Sequence, residues 1–130
     1  MGDTYDVLVI GGGTGGYSCA LRLAQLDKRV ALIERGDRVG GTCLLRGCIP
    51  TKALVRAAEI AHDARRAAEF GIRVGEVEVD FPAVMARVRR IIEEGSAFYE
   101  QLLAERGVDI VRAHARFTGA HEVEAGDMHV

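Results

Sequence analysis

Six residues, Gly11-Gly12-Gly13-Thr14-Gly15-Gly16, constrain the fold of this chain more than any others. They directly follow Tyr-Asp-Val-Leu-Val-Ile, residues 5 to 10, a short β-branched run that predicts a buried parallel strand. They lead into an Ala- and Leu-rich stretch that predicts a helix from about Gly16 to Leu26, with Ala20, Leu21, Leu23 and Ala24 facing a sheet. Gly11, Gly13 and Gly16 make the G-x-G-x-x-G spacing. The first permits a tight turn, the second lets backbone approach a diphosphate, and the third lets the helix pack against the strand. The helix would then aim its free amides and dipole at the phosphates. A second strand, Arg29 to Glu34, ends in an acidic residue 18 positions after Gly16, placed to accept hydrogen bonds from an adenosine ribose. The alternative for Glu34 is a solvated strand-end carboxylate. A glycine triplet alone is weak evidence, but here strand, helix and acidic residue all stand in the required order.

The second chemical feature is Cys43 and Cys48, separated by four residues within G-G-T-C-L-L-R-G-C-I-P-T-K-A-L, residues 40 to 54. A disulfide needs Cα atoms within about 6.8 Å. A regular helix separates residues five apart by about 8.7 Å, and a strand separates them further. A bond between the two therefore needs a distorted helical turn, for which Gly47 supplies loose backbone and Pro50 removes a helix donor. A small, strained ring of that kind suits a labile redox pair. A structural staple would close too short a loop to stabilise much. Half of a metal site lacks its other half, since His62, His114, His121 and His129 are scattered. The metal half-site and two unrelated core thiols remain as alternatives. The third cysteine, Cys19, lies in the first helix and is expected to be a small buried hydrophobe.

Together, the N-terminal G-x-G-x-x-G, Glu34 and the motif around Cys43 and Cys48 resemble the flavoprotein disulfide reductases, the class I pyridine nucleotide-disulfide oxidoreductases. The ending C-I-P-T-K-A-L is most similar to dihydrolipoamide dehydrogenases within that family. The resemblance implies that this first dinucleotide fold holds FAD. The cofactor-binding residues it implies are Gly11, Gly13, Thr14, Gly15, Gly16, Glu34, Arg35, Gly41, Thr42, Cys43, Gly47, Cys48, Lys52 and Ala115. It implies that Cys43 is the interchange thiol and that Cys48 is the sulfur nearer the flavin, with Lys52 one turn beyond to favour a thiolate. It further implies NAD bound by a second dinucleotide fold, and a homodimer whose C-terminal domain lends a histidine–glutamate pair to its partner. The substrate implied is the lipoyl group of a 2-oxo acid dehydrogenase complex. A glutathione, mycothiol or mercuric type of reductase, or a non-catalytic FAD-binding fragment, is the alternative. Many members carry Asn two residues after the first cysteine, where this chain has Leu45, followed by Arg46.

The 130 residues are accordingly read as the N-terminal part of one FAD-binding domain of α/β class: a Rossmann-like parallel sheet, a helical excursion and a small antiparallel β element. From Ile49 to Gly71 a long helix is predicted, with Leu54, Ala57, Ala58, Ala61, Ala64 and Ala68 on one face and Arg56, Glu59, Asp63, Arg66 and Glu69 on the other. Residues 72 to 79 read as a loop with at most one weak strand. Asp80 is a candidate N-cap with Pro82 in the first turn of a second long helix, whose stripe Val84, Val88, Ile91, Phe98 and Leu102 reads as core and which stops at Gly107. A strand at Val108 to Val111 returns to the sheet. Ala113 to Phe117 and Glu122 to Val130 pair around a turn at Thr118-Gly119, with His114 structural. The net charge of −2 gives no general attraction to nucleic acid or anionic membrane. No apolar run reaches membrane-spanning length, and Asp6 breaks an N-terminal myristoylation pattern at Met1-Gly2. With no export segment, a reactive dithiol is expected in the cytoplasm.

Overall fold

The glycine turn does organise the chain. In a computed structural model, which describes residues 5–120 and 122–129, β1 (Val7–Ile10) runs into the turn and α1 (Thr14–Ala24) leaves it. The strand β2 (Val30–Ile33) then pairs with β1 in parallel register, Val7 opposite Val30 and Ile10 opposite Ile33. Met1, Gly2, His121 and Val130 lie outside the described residues. The entry of both strands is fixed where the Asp6 carboxylate accepts the Arg29 amide at 2.8 Å.

Two glycines in the turn are obligatory for different reasons. Gly11 has φ +101°, which side-chain-bearing residues rarely adopt. At Gly16 a Cβ would stand 1.7 Å from the Gly11 carbonyl oxygen, so helix and turn approach as closely as backbone allows.

The third strand, β3 (Asp109–Val111), pairs parallel with β2, giving the order β1-β2-β3. Every residue of β2 is therefore buried, which explains its continuous apolar run. Between β2 and β3 the chain makes the expected excursion: α2 (Gly41–Leu45), α3 (Cys48–Arg66), a 3₁₀ turn at Ala67–Phe70 and α4 (Phe81–Glu105). Asp80 caps α4 through its side chain, accepting the Ala83 amide at 3.0 Å, and Pro82 occupies the first turn. Beyond β3 a second sheet is antiparallel: β4 (Ala115–Gly119), β5 (Glu122–Ala125) and β6 (Met128–His129). The architecture is thus the α/β, Rossmann-like arrangement predicted. Among the described residues no helix is long and apolar enough to cross a membrane.

The main core joins α1, β2 and α4 through Tyr17, Ala20, Val30, Leu32, Val39, Leu103 and Val108. Tyr17 stacks on Tyr99 with ring centroids 4.1 Å apart. A smaller cluster of Ile33, Val123 and Ala125 ties the second sheet to the first.

Several details depart from the sequence pattern. Of the predicted α4 stripe, Val88 is buried and Val84, Ile91 and Leu102 are half-buried, but Phe98 is 59% exposed, and Ser96 and Leu103 are buried outside the stripe. The buried face extends beyond the apolar stripe to one side. The extension was hidden because two of its members, Gly95 and Ser96, are not apolar: Gly95 admits the Leu44 side chain, and the Ser96 hydroxyl donates to the Val39 carbonyl at 2.6 Å. Cys19 is exposed, not buried, because it points away from the α1 face that carries Tyr17 and Ala20. On α3 only Ala53 is buried, and Ala58 lies in solvent. The α-helix ends at Arg66, tightens to 3₁₀ and stops at Gly71, φ +75°. The segment expected from Glu122 to Val130 is broken by a turn at Gly126, φ +62°, into β5 and β6. Residues 72–79 form no strand.

Gly16→Ala should lower unfolding stability by about 3 kcal/mol or more, because a backbone clash cannot relax through side-chain rotation. Gly15→Ala, whose Cβ meets nothing within 4 Å, should gain about 0.5–1 kcal/mol from helix propensity. Urea unfolding of the two variants checks this; equal effects would contradict the packing assigned to Gly16.

Candidate dinucleotide and dithiol site

At the C-terminal ends of β1 and β2, where α/β sheets place their ligands, a cleft of about 440 Å³ opens. One wall is the glycine turn at Ile10 and Gly11 together with Ile33 and Glu34 from the end of β2. The loop Arg35 to Arg38 forms a second side. Gly41, Thr42, Leu45 and Arg46 of α2 and its C-terminus close a third, and Ala113 to Ala115 lead into the second sheet. Of the residues predicted for cofactor binding, the cleft wall brings together Gly11, Glu34, Arg35, Gly41, Thr42 and Ala115. Gly13, Thr14, Gly15, Gly16, Cys43, Gly47, Cys48 and Lys52, also predicted, do not line it. Gly36, Asp37, Arg38, Leu45, Arg46 and His114 also line it. Leu45 and Arg46 lie within the cysteine motif and His114 reads as structural in the sequence, while nothing in the sequence marks Gly36, Asp37 and Arg38.

Glu34 is more than a strand-end carboxylate. Its Oε2 accepts the Gly12 amide at 2.7 Å and its Oε1 accepts the Gly36 amide at 2.7 Å, so it clamps the glycine turn to the following loop. An ionised carboxylate offers about four acceptor directions, which leaves capacity for a ribose hydroxyl. The loop is held from behind as well. Glu100 Oε1 accepts the Val39 amide at 2.9 Å and the Arg112 guanidinium at 2.6 Å, while Arg112 also donates to the Gly36 carbonyl at 3.3 Å.

A second glycine turn meets the first. The Gly40 amide donates to the Gly12 carbonyl at 2.8 Å. Gly40 and Gly41 have φ +144° and +60°, and a Cβ on Gly41 would stand 2.6 Å from Gly13 Cα. Gly13 itself tests whether the site fits a dinucleotide. Its φ of −74° is ordinary and its Cβ would meet only Gly41 Cα at 3.8 Å. The fold therefore does not demand glycine at Gly13; an approaching phosphate would, and the residues present fit one.

From this joint α2 carries Cys43 away from the glycine turn. The helix breaks at Arg46, φ −139°, and Gly47, φ −124°, and α3 starts afresh at Cys48. The expected distorted turn is thus a break between two helices. Both cysteines are free thiols in this structure, and they interact with one another. Cys43 holds its proton more tightly than an ordinary thiol. The largest cause is its side-chain hydrogen bond with Cys48; burial and the repulsion of charge on Cys48 add to it. Opposing these, the Cys48 backbone amide, first in α3, and the Thr14 hydroxyl hydrogen bond the Cys43 sulfur and favour its thiolate. Thr14, at the start of α1, thus reaches from the glycine turn to the cysteine pair. None of the groups acting on Cys43 is a histidine or a carboxylate, and no cluster of three or more metal-ligating side chains stands among the described residues.

The family model described as pyridine nucleotide-disulphide oxidoreductase matches residues 5–130, and the chain belongs to that family. It is 40% identical over 119 residues to the dihydrolipoyl dehydrogenase of Bacillus subtilis (strain 168), covering 92% of this chain and 25% of that protein. It is 37% identical over 123 residues to the dihydrolipoyl dehydrogenase of Zymomonas mobilis, covering 95% of this chain and 26% of the relative. The leghemoglobin reductase of Vigna unguiculata is 38% identical over 122 residues, 93% of this chain and 23% of its own length. The chain spans about a quarter of the length of these relatives.

Thr14→Val should raise the Cys43 pKa further, since it removes a donor to the thiolate with little change of shape. Alkylation of Cys43 in the reduced protein, followed by mass spectrometry against pH, should show its midpoint moved to higher pH. Thr14→Ser should restore the native profile. An unmoved profile in the valine variant would contradict the contact.

Proposed function

We propose that this segment binds FAD in the cleft and, within a longer protein, serves a dihydrolipoyl dehydrogenase-type oxidoreductase that passes electrons from a dithiol substrate to NAD. One observation carries the reading: the contact of Gly13 with Gly41 seats the dithiol on the nucleotide-binding turn. The residues that would hold the diphosphate are the turn at Gly11, Gly13, Thr14, Gly15 and Gly16 with Gly41 and Thr42. Glu34 would take the ribose, with Arg35 and Ala115 at the adenosine end, and Gly47, Cys48 and Lys52 toward the flavin. When bound, FAD supplies the acceptor that takes an electron pair from the reduced cysteines and yields it to NAD held elsewhere in the protein.

The chain's own chemistry is thiol exchange. In the oxidised form Cys43 and Cys48 share a disulfide. A substrate thiolate attacks the Cys43 sulfur, a new S–S bond forms, and Cys48 leaves as a thiolate. The second substrate thiol, losing its proton, attacks the substrate sulfur of this mixed disulfide and expels Cys43. The substrate leaves as a disulfide, and two electrons stay on the cysteine pair. Cys43 is the interchange thiol in this assignment, and its tightly held proton means that the reverse attack requires a base. We assign that base to a histidine–glutamate pair from the partner subunit of a homodimer, and the substrate to the lipoyl group of a 2-oxo acid dehydrogenase complex. A dithiol that must cycle suits a reducing compartment, and we place the protein in the cytoplasm.

Gly13→Val tests the reading. In the full-length protein it should abolish stoichiometric flavin while far-ultraviolet circular dichroism stays near native, because the branched side chain occupies only the space a phosphate needs. Normal flavin content in the purified variant would refute the assignment of this turn.

A further inference from the structure

Arg46 stands between the two redox cysteines, and thiol chemistry gives it no task. Its backbone is fixed at the end of α2, where its amide donates to the Thr42 carbonyl at 2.9 Å. Arg46 lines the cleft together with Gly11, Glu34 and Arg35. Among the described residues its side chain has no hydrogen-bond or ion-pair partner. The cleft does contain anions, but they are committed elsewhere. Glu34 accepts two backbone amides, and Asp37 lies 3.9 Å from Arg38. Arg38 also reaches Glu93, at 3.8 Å. Arg35 and Arg46 are thus left as cations without an anion, in a concave site bordered by the turn that opens α1. The planar fork of a guanidinium matches two oxygens of a phosphate, and such charge-assisted bonds are stronger than neutral ones.

We infer that Arg46 is a phosphate-binding residue of the nucleotide cleft, gripping the diphosphate of the dinucleotide from within the redox loop. The inference rests on the nucleotide-binding reading above and adds a residue that the glycine motif does not contain. It also has a mechanical consequence. Arg46 and Gly47 form the break between α2 and α3, so a phosphate held by Arg46 steadies the segment that sets the spacing of Cys43 and Cys48. Nucleotide occupancy and thiol geometry are then linked through one side chain.

The test uses ADP and adenosine as probes of the flavin-depleted full-length protein, measured by calorimetry for the native protein, Arg46→Met and Arg46→Lys. Arg46→Met should weaken ADP about ten- to hundredfold, the usual range for one charge-assisted hydrogen bond, and leave adenosine unchanged. The loss should shrink at high salt, where exposed charges are screened. Arg46→Lys, which keeps the charge but not the fork, should recover part of the affinity. Native ADP affinity in Arg46→Met would overturn the inference while leaving the nucleotide reading intact. Equal losses for ADP and adenosine would overturn it too, since the residue would then act only on the shape of the loop. If the native protein bound neither probe, the nucleotide reading itself would fall, and this inference with it.

Discussion

The structure depends on the meeting of two glycine turns. The turn after β1 and the turn before α2 touch at Gly13 and Gly41, and the Gly40 amide bonds the Gly12 carbonyl. A side chain at Gly41 would push the turns apart, and φ +60° there would strain it as well. Everything chemical hangs from this joint. One side leads through α1 to the sheet and to Glu34. The other leads through Thr42 to Cys43 and then, after a break, to Cys48. The excursion helix α4 braces the joint from below, with Ser96 and Glu100 holding the two polar groups of Val39. A buried hydroxyl donating at 2.6 Å costs little to keep and about 1–3 kcal/mol to orphan.

The joint also sets the electrostatics of the thiols. Cys43 receives a donor from each direction, the Thr14 hydroxyl from the first turn and the Cys48 amide from the start of α3. Its partner sulfur works against it, by hydrogen bonding and by charge.

What the sequence made legible was local. Gly11 and Gly16 could be assigned because each requirement arises within a few residues, a positive φ in one case and a backbone approach in the other. Glu34 could be placed by its position at a strand end, but its clamp on Gly12 and Gly36 depends on how two loops meet. The buried face of α4 extends beyond its apolar stripe because burial there also follows the shape of Leu44 and the carbonyl of Val39. Cys19 is the reverse case, an apolar-leaning residue on a solvent-facing position of α1. In the sequence Arg46 is only the neighbour of Leu45, which departs from the family pattern; its place in the cleft depends on the break between α2 and α3.

If the dithiol and the proposed flavin site act as one electron-carrying unit, anaerobic reductive titration of the full-length flavoprotein, followed by absorbance, will show it. Two electrons should leave the flavin oxidised and produce a long-wavelength band from a cysteine thiolate lying against it, and bleaching should need two more. Immediate bleaching by the first two electrons, with no long-wavelength band, would contradict the account.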